Sequence, residues 1–147
     1  MLSTLLSVTH LLGLALGVGA ATTKLALLLR VRTDRAFAAT YDNVARPITH
    51  LILAGIALLI LSGIGWLVTG YPLTSSLVVK LVLVAAILVI GPIIDNVVEP
   101  KFRQLATAGE TTPAPAFIRA QRQYLGLEIV ATLLFYVVVV YWIIATR

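Results

Sequence analysis

Four stretches of the chain are each long and apolar enough to cross a bilayer, and little else in the sequence constrains the fold as strongly. They cover residues 5–29, 48–69, 77–98 and 124–145. A hydrocarbon core about 30 Å thick needs roughly 20 apolar residues in helix. Each stretch meets that length and keeps its few ionisable residues near its ends. Composition points the same way. Only 12% of residues are charged, against roughly a quarter in soluble domains, so most of the surface must face lipid. The first stretch is too long for a signal peptide and no basic residue precedes it, so it is expected to be a retained span. The chain has no cysteine, which excludes disulfides, thiolate metal sites and cysteine nucleophiles.

The formal net charge of +5 is a topology signal rather than a nucleic-acid signal. Arg30, Arg32, Arg35 and Arg46 lie between spans one and two, and Lys101, Arg103, Arg119 and Arg122 between spans three and four. The segment before span one and the turn 70–76 carry no Lys or Arg. The positive-inside rule therefore places the loops 30–47 and 99–123 in the cytoplasm and both termini outside. The expected architecture is all-α: a single-domain, four-transmembrane-helix bundle, N-out and C-out, with spans two and three forming an antiparallel hairpin. Its expected location is a bacterial inner membrane. Residues 111–115 read as a flexible linker and 116–123 as an interfacial segment ahead of span four. Pro92 is expected to bend span three.

Polar residues inside spans are costly and mark functional candidates. They fall into two layers. The outer layer holds His10 in span one and Lys80 in span three, at similar depth. Below His10, the residues Gly13, Gly17, Ala20 or Ala21, and Lys24 follow spacings of three or four and share a helical face. Gly13-x-x-x-Gly17 reads in two ways: as a small-residue face for close helix packing or dimerisation, or as a flat slot in which a planar macrocycle could lie beside an imidazole able to ligate haem iron.

The inner layer holds Lys24, His50, Asp95, Glu99 and Glu128. Asp95 and Glu99 are four apart and share a face with Lys80, Val84, Ile87 and Gly91. Charge pairing of the acids with Lys24 and the loop arginines is one reading. A proton path, or a metal site in which His50 joins the carboxylates, is the other. His10 and His50 lie near opposite faces, about 15–20 Å apart along the normal, so one chain cannot use both on a single iron.

The runs Thr9-His10-Leu11-Leu12-Gly13-Leu14-Ala15-Leu16-Gly17 and Val79-Lys80-Leu81-Val82-Leu83-Val84 resemble elements of small bacterial membrane proteins. These are the HemJ-type protoporphyrinogen oxidases and the related CopD-like and DUF2269-like proteins. The resemblance implies that His10 is a haem ligand and that Lys80 is functionally required, as a catalytic or cofactor-holding residue. Residues 14–19 and 21–27 replace the Trp-Phe-Ala-Gly-Leu-like and Pro-Arg-Leu-Phe-like runs of HemJ-type proteins. The resemblance thus extends to a membrane-embedded b-type haem protein with a redox or electron-transfer role, more than to that one oxidase activity. Two other functions fit the sequence: an accessory or structural subunit of a larger membrane complex, and a small ion or metal transporter. Expected partners are the lipid bilayer and a second copy or another membrane protein, with no nucleic acid.

Overall fold

The computed structural model describes residues 1–34, 36–107 and 115–145. Arg35, Arg147 and the linker stretch 111–114 lie outside the described residues. Five α-helices account for almost all of the described chain: α1 (Leu2–Thr33), α2 (Phe37–Val68), α3 (Ser75–Ile93), α4 (Glu99–Thr107) and α5 (Pro115–Ala145). A π-helical segment, Ile94–Val98, joins α3 to α4 without a break. In lipid every backbone amide and carbonyl must be satisfied within the protein, and a helix achieves this locally. Four of the helical runs are long and apolar enough to cross a membrane.

The helices extend well past the apolar stretches that define the spans. α1 continues through Arg30 and Arg32 to Thr33, and α2 already begins at Phe37, so the loop expected over 30–47 is mostly helix. Pro47 lies inside α2. The expected interfacial segment 116–123 is the first part of α5. It stays helical because Phe117, Ala120 and Tyr124 repeat at three and four residues and are buried together. At the opposite end α2 closes on Gly70, whose φ of 87° suits glycine alone. Thr74 caps α3 by accepting from the Leu77 amide at 3.3 Å.

Pro92 does not interrupt span three. The helix passes through it and then widens, the Glu99 amide bonding to the Ile94 carbonyl five residues back. The Asn96 side-chain amide donates to the Pro92 carbonyl at 2.9 Å, which serves an acceptor in the disturbed turn. The proline, which has no N–H to donate, lies within α3 and is followed by this π turn rather than by a break.

α1 packs along α2, α5 packs on both α1 and α3, and α2 touches α4 at the basic end. α2 and α3 follow one another through a short turn, yet among the described residues their backbones do not pack together; the expected hairpin is splayed, with α2 packed on α1, α1 on α5 and α5 on α3. Large apolar side chains such as Leu11, Leu61, Val82, Val89, Leu133 and Val140 point outward, as lipid-facing positions should. The larger core cluster lies at the basic end, around Leu28, Tyr41, Val98, Phe102, Phe117 and Tyr124. A smaller one of Ala21, Ile87 and Phe135 lies near the middle of the spans.

Candidate functional site: a lysine among three carboxylates

The buried face of α1 runs Gly13, Gly17, Ala20, Ala21, Lys24, Leu28, Val31. Lys24 belongs to this stripe by helical spacing alone, so its ammonium must enter the bundle. It is 1% exposed. Three carboxylates from three other segments meet it: Asp95 of the π segment at 3.1 Å, Glu99 of α4 at 2.9 Å and Glu128 of α5 at 3.1 Å. An isolated charge so placed would be prohibitive, and paired charges hold only if their remaining valences are satisfied.

Glu99 is the best served. Besides Lys24 it accepts from the Tyr124 hydroxyl at 2.8 Å and from Arg103, one turn along α4, at 3.2 Å. Tyr124 lies one turn before Glu128 on α5 and contacts the Tyr41 hydroxyl at 3.0 Å. Its ring also stands 5.8 Å from the Lys24 ammonium, within cation–π range. Tyr41, Phe102 and Tyr124 pack edge-on and tilted against one another and close the cluster on the basic side. Asp95 is the carboxylate with most access to water, its side chain 29% exposed against 4% for Glu128.

The charge count is uneven. Among the described residues, two cations, Lys24 and Arg103, face three carboxylates. With all five ionised these groups, of which Lys24, Glu99 and Glu128 are buried, carry one net negative charge. A single proton on a carboxyl makes them neutral overall, which is the state burial favours.

His50 takes no part in the cluster. It lies on an exposed face of α2, and no metal-holding group of three or more His, Cys, Asp or Glu forms among the described residues. The metal site expected from His50 and the acids is therefore not assembled. The Lys24 ammonium already stands where a divalent ion would have to sit, so the acids are brought together around an internal cation.

In the outer layer His10 is half-buried and its Nδ1 lies 2.9 Å from the Ser62 hydroxyl on α2. Ser62 already donates its single proton to the Leu58 and Leu59 carbonyls at 2.7 and 3.0 Å. His10 must therefore donate from Nδ1, which leaves the lone pair on Nε2. Lys80, half-buried on α3, is near enough for its charge to act on His10.

The glycine face beneath His10 is filled by protein. A Cβ on Gly13 would stand 2.8 Å from the Gly55 carbonyl oxygen, one on Gly55 would stand 2.6 Å from the Gly17 amide, and one on Gly17 would meet Phe135 at 3.1 Å. Gly13 and Gly17 thus serve close packing of α1 on α2 and α5, and the slot expected there for a macrocycle does not exist within one chain. Sequence reasoning missed Gly55, Ser62, Tyr41 and Phe135, which carry no periodic partner signal. Tyr124 was missed as well, and its place one turn before Glu128 is the signal that could have found it; Arg103 was among the loop arginines expected to pair with the acids.

Comparison of the chain with known protein families, with curated proteins and with solved structures found no match.

Proposed function

We propose that this chain is a proton-handling membrane protein, a small proton-coupled transporter whose working centre is the Lys24 cluster. The observation that supports this reading is the meeting of three carboxylates with one buried ammonium at 2.9–3.1 Å, with one more negative charge than the described cations balance. Buried ionisable groups within a span default to such roles. The step is simple: a proton from the water at the basic, cytoplasmic end adds to a carboxylate oxygen, giving a neutral carboxyl, and later leaves as it came. Asp95, the most hydrated acid, is the point of entry. Glu128, with Lys24 as its cation and little water, is the store. Glu99 stays ionised, held by Lys24, Tyr124 and Arg103 together. The protonated cluster is neutral and the deprotonated one negative, the two charge states that a proton-for-cation exchanger alternates between. Four helices form a pathway most readily as an oligomer in a bacterial inner membrane.

The test is proton flux into proteoliposomes driven by an imposed sodium or potassium gradient, read with a trapped pH-sensitive dye. Flux well above that of empty vesicles, abolished by Glu128→Gln, supports the reading. Wild-type vesicles no leakier than empty ones defeat it.

The His10–Ser62 bond favours a second reading, a b-type haem protein with a redox role, in keeping with the resemblance to HemJ-type and CopD-like proteins. Fixing Nδ1 as the donor leaves Nε2 free to ligate iron, and Lys80 supplies a cation at the same level for an acidic ring substituent. The glycine face has no room for the ring, so a haem would lie on an outer face or between two copies. Absorption spectra of the purified protein, oxidised and then reduced with dithionite, decide this reading. A Soret band with sharp reduced bands, lost in His10→Ala, supports it; full haem content in His10→Ala refutes the ligand.

A further inference from the structure

A second feature of the basic end lies outside the Lys24 cluster. Ile118, Gln121, Arg122 and Leu125 are spaced at three, four and seven residues on one face of α5, and Arg32 reaches them from the last turn of α1. Together they line a cavity of about 340 Å³, the volume of roughly ten waters. Two arginines line it, and among the described residues neither Arg32 nor Arg122 has a carboxylate partner. Its remaining lining is an amide, Gln121, and two aliphatic side chains.

We propose that this cavity binds the phosphodiester headgroup of an anionic phospholipid. Guanidinium groups bind phosphate oxygens through paired, charge-assisted hydrogen bonds, and Gln121 adds a further donor. The position matches that chemistry. Arg32 lies three residues beyond the end of the apolar part of α1, and Leu125 lies at the start of the apolar part of α5, so the cavity straddles the water–hydrocarbon boundary. Leu125 and Ile118 provide the wall along which the glycerol and first acyl carbons run. Basic pockets between helices on the cytoplasmic side are where anionic headgroups concentrate. The cavity holds a headgroup, not a whole lipid, so the acyl chains remain in the bilayer.

The experiment is native mass spectrometry of the full chain released from detergent, with phosphatidylglycerol and phosphatidylcholine of identical acyl chains offered in turn. Wild type is expected to retain one phosphatidylglycerol per chain with at least about tenfold preference over phosphatidylcholine. In R32Q/R122Q the preference falls below about twofold, whereas R119Q, altered outside the cavity, keeps it. R32Q alone changes only an exposed position at a helix end and gives an intermediate preference, which tests the site even where the double variant folds poorly. Equal binding of the two lipids by wild type, or an unchanged preference in R32Q/R122Q and R32Q, overturns the proposal. Displacement of the bound lipid by inorganic phosphate at equal concentration also overturns it, because the site would then be one for a soluble anion.

Discussion

Tyr124 donates its one hydroxyl proton to Glu99 at 2.8 Å, so in the pair of hydroxyls 3.0 Å apart Tyr41 must be the donor. A directed chain results, running Tyr41 to Tyr124 to Glu99, and Glu99 in turn accepts from Lys24. It links α2, α5 and α4 to α1 through side chains that are all nearly or fully buried, and it fixes where Glu99 points.

Removing the hydroxyl of Tyr124 takes a donor from Glu99 and an acceptor from Tyr41 at once. Tyr124→Phe is expected to destabilise the detergent-solubilised protein by about 2–3 kcal/mol, and Tyr41→Phe, at the end of the chain, by about 1 kcal/mol. Thermal or denaturant unfolding of the two variants side by side checks the order. Equal losses would mean that Tyr124 does not link the two groups.

Burial pushes the Tyr41 hydroxyl above the usual phenol range. The unfolded chain ionises near the ordinary tyrosine pKa of about 10, while the folded protein keeps this proton. The contribution is therefore fully present below about pH 10 and is lost as pH rises above it. Stability measured from neutral to strongly alkaline pH is expected to fall more steeply in wild type than in Tyr41→Phe.

Lys24→Gln leaves three carboxylates around a neutral amide. Breaking a buried ion group by removing one partner costs about 3–5 kcal/mol, and a loss of that size is expected in unfolding measurements. Adding Glu128→Gln reduces the excess negative charge and should recover part of the loss. A double variant no more stable than Lys24→Gln would show that Glu128 and Lys24 are not energetically coupled.

The α1–α2 contact depends on the absence of side chains at Gly13 and Gly55. In Gly55→Ala the new methyl meets backbone atoms at 2.6 and 2.8 Å, which no rotamer change relieves. This variant is expected to unfold at clearly lower temperature than wild type. Gly63→Ala, on the same helix with nothing within 4 Å of its Cβ, should be neutral or slightly stabilising because alanine favours helix. Similar melting of the two variants would contradict the close approach of the helices.

The spans were legible because a bilayer imposes length and hydropathy on them, and each apolar stretch became a helix. The inner layer was legible for a related reason: Lys24, Asp95, Glu99 and Glu128 are costly in lipid and had to find each other. What could not be read is the rotation of each helix, which hydropathy leaves free. His50 and Glu128 looked alike in the sequence, yet one faces outward and the other meets Lys24. The glycine face below His10 had two readings at equal spacing, and only the position of Gly55 on α2 decides between them. The π turn after Pro92 was equally hidden, since a proline states that a hydrogen bond is lost and not how the backbone responds. Charged residues at helix ends also misled, because Arg30 and Arg32 marked a topology without ending the helix.

The most direct measurement is the infrared spectrum of the membrane-reconstituted protein at neutral pH, in the region where a protonated carboxyl absorbs apart from ionised carboxylates. The unequal charge count around Lys24 predicts one protonated carboxyl band, and storage of that proton on Glu128 predicts its loss in Glu128→Gln. No such band in wild type, or a band that survives Glu128→Gln unchanged, would contradict a proton stored on Glu128.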